Sequence, residues 1–289
     1  MGENQNYKTA YSAAYARLIE QHEPKETRLF DDPFVKKFFS SYLSLLMQFR
    51  VIRKLMIFMY NSMSIGLFGL QVCRTKYIDD RLKEAIDDGV EQVVILGAGV
   101  DTRLYRIANT NKLKGFEVDL PIMQNKKKST MKKFLGDLPN NIIFIPIDFN
   151  VQTLDEVFEN EELDFSRPIF FIWEGVTQYI TKDAVENTLR FISKASSGST
   201  VVFTYVIESM INGTTDLIGA ETLTTLFKVG GQNLQFGLNP SYINEYLNKY
   251  KLQLIEDVGA SYYQENYLKP ICRKLDVSLI ERITYAKII

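Results

Sequence analysis

Short apolar segments recur along the second part of the chain, and stretches of helical composition separate the later ones. Each segment is hydrophobic throughout rather than at alternate positions, which predicts strands buried on both faces, as in a parallel sheet covered by helices. The segments are "QVVILGAG", "KGFEVDL", "NIIFIPIDF", "PIFFIWEGV" and "STVVFTYV". The pattern therefore predicts an open, mostly parallel, doubly wound α/β sheet, whose ligands lie beyond the carboxyl ends of the central strands.

Two further strands are predicted late in the chain, "LQLIEDVG" and "ERITYAKII". The second of them follows closely on a helix, and we expect it to enter the sheet antiparallel to its neighbours. Residues up to about 64 have helical composition instead. The segment "DDPFVKKFFSSYLSLLMQF" begins with a plausible cap and has Pro33 near its first turn.

No Pro-, Gly- or Ser-rich linker divides the sequence, but its two parts differ in pattern. A helix, "RTKYIDDRLKEAIDDG", is predicted to begin at Arg74 and to end at Gly89. We therefore predict an N-terminal helical cap over residues 1–73 and an α/β domain over 74–289. An insert near 207–238 is expected to form a lid with helices. Its candidate hinges are Gly213, Gly230 and Gly231.

The segment from Leu55 to Cys73, "LMIFMYNSMSIGLFGLQVC", contains no charged residue. Its length suffices to span a bilayer. Polar residues and glycines dilute it, however, and the basic residues Arg50, Arg53 and Lys54 precede it. We therefore predict a buried helix pair or the apolar wall of a pocket, and we do not expect membrane contact.

Charge and cysteine content restrict the classes of partner. The 289-residue chain has 34 Lys and Arg against 35 Asp and Glu, so no basic excess predicts nucleic-acid binding. The basic segment "NKKKSTMKKF" is interpreted as a solvated helix face. Cys73 and Cys272 have no metal-ligand spacing, and free thiols in a reducing cytosol are the simplest interpretation. The N-terminus has no apolar signal core, so we predict a cytoplasmic protein without a metal site.

The first strand ends in a turn that contains Gly97 and Gly99, where a ligand can approach the backbone closely. A dinucleotide-binding turn has a third glycine three positions later, but Thr102 occupies that position. Asp101 further disfavours a diphosphate, because two anions repel, whereas a carboxylate near a cationic ligand is favourable. A nicotinamide-dependent oxidoreductase stays open as the competing enzyme class.

The next three strands end in acidic residues. Asp119 lies about twenty residues after the glycines, where a carboxylate reaches ribose hydroxyls; capping of the following helix is the alternative role. Asp148 and Phe149 together offer an acceptor and an apolar face for adenine. Glu174 ends an apolar strand, and a cationic ligand would reduce the cost of burying its charge.

These motifs, in this order, resemble the leucine carboxyl methyltransferase family. The resemblance is carried by "CRTKYIDDRL", "QVVILGAGVDTRLYR", "FEVDLP", "IPIDFN" and "FIWEGVTQYIT", and it extends from about Thr9 to Thr204. It implies a Rossmann-like class I methyltransferase fold with added N-terminal and lid helices, and S-adenosyl-L-methionine as cofactor. That cofactor has a diol, an adenine, an amine, a carboxylate and a sulfonium but no phosphate, which agrees with the residues at the strand ends.

The resemblance also implies roles for individual residues. Cofactor binding is implied for Arg17, Arg74, Gly97, Asp119, Asp148, Phe149 and Glu174. For Gly99 and Asp101 it is predicted from the glycine turn itself. Arg74 matches the arginine that binds the methionine carboxylate, and Tyr179 is the candidate catalytic residue near the substrate. We expect Arg74 at the start of its helix, where free backbone N–H groups also favour a carboxylate. The alternative for Arg74 is a surface ion pair with Asp79 or Asp80.

The predicted activity is methylation of a carboxylate or hydroxyl of a small molecule. A carboxylate is already ionised at neutral pH and needs no strong base, whereas a hydroxyl does. A peptide acceptor, as for a protein C-terminal carboxyl methyltransferase, is the alternative within the same chemistry. A cofactor-binding or partner-binding protein without catalysis is the alternative of another class.

Overall fold

The computed structural model of the chain describes residues 3–107, 113–217, 219–229, 231 and 233–289. Its centre is a seven-stranded sheet with the strand order β3-β2-β1-β4-β5-β7-β6. The strands are β1 Gln92–Leu96, β2 Lys114–Asp119, β3 Ile142–Pro146, β4 Ile169–Trp173, β5 Thr200–Val206, β6 Leu252–Val258 and β7 Glu281–Ile288.

The predicted sheet class is confirmed. Strands β1 to β5 pair in parallel, and β7 lies antiparallel between β5 and β6. In the register, Ile95 of β1 lies opposite Glu117 of β2 and Ile172 of β4. Because these strands run in the same direction, their carboxyl ends meet at one edge of the sheet, and the turns that follow them form one surface.

Helices cover both faces of the sheet. They are α1 Glu3–Glu20, α2 Ser41–Leu46, α3 Arg50–Met63, α4 Leu67–Asp87, α5 Arg103–Arg106, α6 Pro121–Leu135, α7 Leu154–Phe158, α8 Lys182–Ile192, α9 Glu208–Ile211, α10 Ala220–Val229, α11 Ile243–Asn248 and α12 Ala260–Tyr263. Short 3-10 turns span Val35–Phe38, Thr177–Tyr179 and Pro240–Tyr242, and a π-helical turn spans Gln264–Leu268.

Side chains of β1 explain why two apolar cores form. Val93 and Ile95 belong to the core that includes α1 and α4. Val94 and Leu96 belong to the core that includes α8. Successive side chains of a strand point to opposite faces of the sheet. All four of these side chains are buried, so both faces of β1 are covered. The continuous hydrophobicity of the segment is thus the signature of a strand covered on both sides.

The uncharged segment from Leu55 to Cys73 divides into two parts. Its second part lies in α4, where every residue from Leu67 to Cys73 is buried as predicted. Its first part lies in α3, where the prediction of burial is wrong for one side of the helix: Leu55, Phe58 and Met59 are exposed. Among the described residues no single helix is long and apolar enough to cross a membrane. Only taken together do α3 and α4 have the length and composition of a span, and they are bent by 100° relative to each other.

Helix α4 continues without a break through residues 73 and 74, and the division into a cap over 1–73 and a domain over 74–289 stays a prediction.

The insert over 207–238 leaves and re-enters the sheet at one place. Glu208 N donates to Leu238 O at 2.9 Å, and Leu238 N donates to Val206 O at 3.1 Å. Gly213 and Gly231 have positive φ, as hinge glycines can, and Gly230 lies outside the described residues.

Candidate functional site

A cavity of about 670 Å³ opens at the carboxyl ends of β1 to β4. The structure brings all the sequence-predicted site residues to its wall: Arg17, Arg74, Gly97, Gly99, Asp101, Asp119, Asp148, Phe149, Glu174 and Tyr179. One half of the cavity is polar and lies over the strand ends. The other half is apolar and is formed by side chains of α3, α4, α9 and α10, including Met63, Leu67, Met210, Leu223 and Phe227.

The turn after β1 is held against its neighbours. Gly97 and Gly99 have φ values of 72° and 42°, in the left-handed region that glycine adopts without strain. Gly97 N donates to Val118 O at 2.8 Å. A Cβ atom on Gly97 would lie 2.2 Å from Val176 Cγ2, so a larger residue would displace the segment after β4. Glycine is therefore required here by packing as well as by backbone conformation.

Asp119 ends β2 and has a fixed orientation. Its Oδ2 accepts a hydrogen bond from Gly99 N, and its Oδ1 accepts one from Leu120 N at 2.6 Å. The residue at the N-cap of α6 is Leu120, without a side-chain capping bond, so the helix-capping alternative for Asp119 is wrong. Burial raises the pKa of Asp119, and the two backbone N–H groups oppose that rise. A polar ligand in the cavity meets a carboxylate that is already oriented.

Asp148 and Phe149 lie in the turn after β3. Asp148 Oδ1 accepts a hydrogen bond from Asn150 N at 3.0 Å. Phe149 is half-buried and packs on the core that contains α8. The turn thus presents one oriented carboxylate and one aromatic face to the same cavity.

Arg74 and Glu174 form a direct ion pair. Arg74 Nε donates to Glu174 Oε1 at 2.7 Å, and Arg74 Nη1 donates to both oxygens of Glu281 at 2.7 and 3.0 Å. Burial opposes ionisation of Glu174, but Arg103 and Arg74 together hold its pKa below the ordinary value. Nη2 of Arg74 has no hydrogen bond to the residues that the structure describes, and it is the atom left for an anionic ligand group.

The predicted position of Arg74 at a helix start is wrong. Helix α4 begins at Leu67, and its N-cap is Gly66 with φ 75°. Arg74 therefore lies two turns inside the helix, where backbone N–H groups are used within the helix. Its partners are Glu174 and Glu281, so the alternative of a surface ion pair within the helix is also wrong.

Both carboxylate oxygens of Asp101 accept hydrogen bonds from Arg103. One carboxylate oxygen accepts from Arg103 N at 2.6 Å, and the other accepts from Arg103 Nη1. Burial alone would raise the pKa of Asp101, but the adjacent guanidinium of Arg103 holds it at about 2. Arg103 Nη1 also donates to Glu174 Oε2 at 2.7 Å. Asp101 thus orients Arg103, which in turn bonds Glu174, the acidic residue directly after β4.

Arg17 of α1 connects the N-terminal helix to the glycine turn. Its Nη1 lies 2.6 Å from Asp32 Oδ2, and the same atom donates to Thr102 Oγ1 at 3.1 Å. Its Nη2 donates to Val100 O at 2.7 Å. The guanidinium lies at the cavity wall, but these contacts are all to the protein.

Sequence reasoning missed four further charged residues that contact these side chains. Arg103 Nε donates to Asp79 Oδ1 at 2.8 Å, and Arg106 donates to both oxygens of Asp79 at 2.6 and 2.7 Å. Glu281, at the start of β7, lines the cavity 207 positions from its partner Arg74. A signal was present for Arg103 and Arg106, which lie in "DTRLYR"; none was visible for Glu281.

We call these residues the arginine–carboxylate cluster. Its members are Arg74, Arg103, Arg106, Asp79, Asp101, Glu174 and Glu281. Three guanidinium groups face four carboxylates, and Asp119 nearby adds one more acid. Among the charged residues that line the cavity, five carboxylates stand against three arginines. With these carboxylates ionised, the polar half of the cavity has an excess of negative charge, which attracts a cationic ligand.

The basic segment on α6 is not entirely solvated as predicted. Lys127 is buried, and its Nζ lies 2.8 Å from Glu117 Oε1. Glu117 points from β2 toward the same helix, and burial raises its pKa to about 7 against the opposing effect of Lys127. One lysine of the run thus turns toward the sheet, because a buried carboxylate needs a partner.

Tyr179 lies in the 3-10 turn after β4, at the boundary of the polar and apolar halves. Its ring packs edge-on against Phe227 of α10, with 5.8 Å between ring centroids. Gln235 Nε2 donates to the backbone oxygen of Tyr179 at 2.7 Å. Burial raises the pKa of Tyr179 well above its ordinary value, so its phenol is neutral at neutral pH and offers a hydrogen-bond donor.

The chain is similar to known proteins in sequence. The family profile described as "Leucine carboxyl methyltransferase" matches residues 10–193, which is more than half of the chain. YktD of Bacillus subtilis, named as a candidate S-adenosyl-L-methionine-dependent methyltransferase, is 27% identical over 228 residues, covering 76% of this chain and 72% of YktD. SCO7813 of Streptomyces coelicolor, named likewise, is 36% identical over 129 residues, covering 44% of this chain and 45% of its own.

Solved structures share the fold at low sequence identity. A candidate methyltransferase from Thermobifida fusca superposes with a TM-score of 0.57 at 16% identity, covering 83% of this chain and 88% of that one. A DUF574-family protein from Streptomyces avermitilis superposes with a TM-score of 0.55 at 13% identity, covering 77% and 85%. The residues matched by the family profile include α4, the glycine turn and the three acidic strand ends. The chain belongs to the leucine carboxyl methyltransferase family.

Proposed function

We propose that this protein transfers the methyl group of S-adenosylmethionine to a carboxylate of an apolar small molecule. Dependence on S-adenosylmethionine follows from the family and from its relatives, and the nature of the acceptor is the proposed part. The observation that carries it is the boundary of the cavity, where neutral Tyr179 stands between the arginine–carboxylate cluster and an apolar chamber.

The residues of the polar half fit this cofactor by their chemistry. Arg74 Nη2 is available to the methionine carboxylate, and Asp119 has acceptor positions left for a ribose diol. The excess negative charge of the cluster suits the amine and the sulfonium. The bound cofactor supplies an electrophilic methyl group. The fixed orientation of Asp119, and of Glu174 between two arginines, means that binding requires little rearrangement of these side chains.

The apolar half supports a hydrophobic acceptor. Met63, Leu67, Met210 and Phe227 offer no charged group to a substrate, so an aliphatic or aromatic chain is the chemistry that this wall accepts. The raised pKa of Tyr179 keeps its hydroxyl protonated at neutral pH, so Tyr179 cannot serve there as a general base. A carboxylate acceptor needs no base, and the Tyr179 hydroxyl can donate a hydrogen bond to it.

The test is a transfer assay with labelled cofactor and paired acceptors of equal chain length, one a carboxylic acid and one the corresponding alcohol. We expect label on the acids, released as methanol by mild alkali because methyl esters hydrolyse and ethers do not. Each added methylene should lower KM about fourfold until the chamber is full. Transfer only to alcohols or phenols, or label that resists alkali, contradicts the proposal.

A matched pair of variants separates the two halves of the cavity. Phe227→Ala should flatten the dependence on chain length and leave cofactor affinity unchanged. Tyr179→Phe should retain transfer to a carboxylate with a KM raised by one lost hydrogen bond, about fivefold. Loss of transfer beyond about a thousandfold in Tyr179→Phe would mean that the phenol acts in proton transfer and that the acceptor is a hydroxyl.

A further inference from the structure

The outer side of α2 and α3 is an exposed apolar surface beside the cavity. On α3 its residues recur at intervals of three and four, which places them on one face of the helix. Phe58 is 70% exposed and Val51 is 79% exposed. We call this surface the α2–α3 face; its members are Tyr42, Leu45, Phe49, Val51, Leu55, Phe58, Met59, Met63 and Ile65. Large exposed apolar side chains grouped on neighbouring helices are typical of an interaction surface.

The charge of this region is one-sided. Between Pro33 and Ile78 the sequence has no Asp or Glu, whereas the whole chain is balanced at 34 basic and 35 acidic residues. The basic residues in that interval are Lys36, Lys37, Arg50, Arg53, Lys54, Arg74 and Lys76. Arg50 and Lys54 are exposed, one position from Val51 and Leu55, and so they border the apolar stripe.

The basic residues of α3 differ in their surroundings. Arg53 turns inward, where its Nε lies 2.8 Å from Glu23 Oε1 and its Nη1 donates to Met47 O at 2.9 Å. Arg50 and Lys54 form no ion pair with any carboxylate in the described part of the chain. The apolar stripe therefore has unneutralised positive charge along its edge.

We propose that the α2–α3 face docks on the surface of an anionic lipid bilayer. A helix with large side chains such as Phe58 on one face and Lys or Arg beside them lies in the interface plane, with its apolar face among the acyl chains and its cations at the phosphates. The contact is peripheral, because α4 turns away and buries Leu67 to Cys73 in the protein.

A second copy of the chain fits this surface less well. A two-fold contact places the same patch of both copies together, and because this region has no acidic residue, Arg50 and Lys54 would meet no acidic partner there. Anionic lipid supplies both the apolar phase and the opposite charge. Met63 belongs to the face and also lines the apolar half of the cavity, so docking brings that half next to the interface.

The test is flotation of the full chain with vesicles of phosphatidylcholine, alone or mixed with phosphatidylglycerol. We expect binding to the mixed vesicles only, weakened at high salt because screening reduces the attraction. Arg50→Glu with Lys54→Glu should weaken binding at least about 25-fold, since each basic residue near such a surface contributes about fivefold. Leu55→Ser with Phe58→Ser should abolish it.

Control variants change charge or remove an apolar side chain away from the α2–α3 face. Lys132→Glu with Lys133→Glu changes two exposed lysines of α6, and Ile255→Ser removes an exposed apolar residue of β6; both should bind as the parent does. Thermal unfolding checks that each variant is folded. The proposal is overturned if the parent does not float with mixed vesicles, or if the controls lose binding equally. A dimer in solution that Leu55→Ser with Phe58→Ser dissociates, without vesicle binding, also overturns it.

Discussion

Replacing Arg74 by lysine tests how one side chain serves both the fold and the cofactor. In the structure Arg74 Nε bonds Glu174 at 2.7 Å and Nη1 bonds Glu281 at 2.7 Å. The lysine ammonium keeps the charge but cannot reproduce this fork, so one carboxylate loses its direct partner. A hydrogen bond to a charged group contributes about 1.5–3 kcal/mol. We expect Arg74→Lys to lower the free energy of unfolding by about that amount.

The same change should act unequally on two ligands. S-adenosylhomocysteine has the methionine carboxylate that Arg74 Nη2 is proposed to bind, and 5′-methylthioadenosine lacks it. Loss of one charged hydrogen bond predicts weakening of S-adenosylhomocysteine by roughly 10- to 150-fold. Binding of 5′-methylthioadenosine should change by less than about threefold, because only the indirect effect on the cluster remains.

Calorimetric titration of both ligands, together with urea unfolding, measures these effects. Arg81→Lys is the matched control, since Arg81 lies on the same helix and pairs with Glu84 and Glu256 nearer the surface; neither ligand should be affected. If Arg74→Lys weakens both ligands by the same factor, Arg74 supports the fold of the site and does not bind the methionine end.

Three further predictions address single features of the site. Asp119→Asn should weaken S-adenosylhomocysteine about 5- to 100-fold by calorimetry; unchanged affinity removes the ribose assignment. Gly97→Ala should lower the free energy of unfolding in urea by about 2–4 kcal/mol, because its Cβ meets Val176 Cγ2 at 2.2 Å. Gly89 has a positive φ but open space around it, so Gly89→Ala should lower that free energy by only about 1 kcal/mol. Equal losses in the two variants would contradict the role of packing at Gly97. Glu117 has a folded-state pKa raised to about 7, so its contribution to stability falls as pH rises from about 4.5 through 7. Relative to Glu117→Gln, the parent should lose about 1–3 kcal/mol over that interval, and a pH-independent difference contradicts the assignment.

Local sequence signals predicted the parts of the site that depend on one strand and its turn. The apolar run of β1 reveals two-sided burial, and the glycines and acids that follow each strand must meet because parallel strands end at one edge. Gly97, Asp119, Asp148 and Glu174 therefore reach one cavity as expected. Strand ends are determined by short-range pattern, so sequence reasoning succeeds there.

Features that depend on distant partners were not predictable in this way. Glu281 meets Arg74 across 207 positions of chain, and no local pattern marks that pairing. The start of α4 was misplaced because Gly66 and the apolar residues after it resemble the end of the preceding apolar stretch. The exposed side of α3 was missed for a related reason, since hydrophobic periodicity shows that a helix has an apolar face but not what covers that face.

A crystal structure of the protein with S-adenosylhomocysteine would test directly whether the cavity at the strand ends binds the cofactor. We expect the ligand carboxylate on Arg74 Nη2, the ribose diol on Asp119 and the adenine beside Asp148 and Phe149, with the sulfur facing Tyr179 and the apolar half of the cavity. A ligand bound elsewhere, or one whose adenine lies at Arg74 and whose carboxylate lies at Asp148, would contradict this expectation.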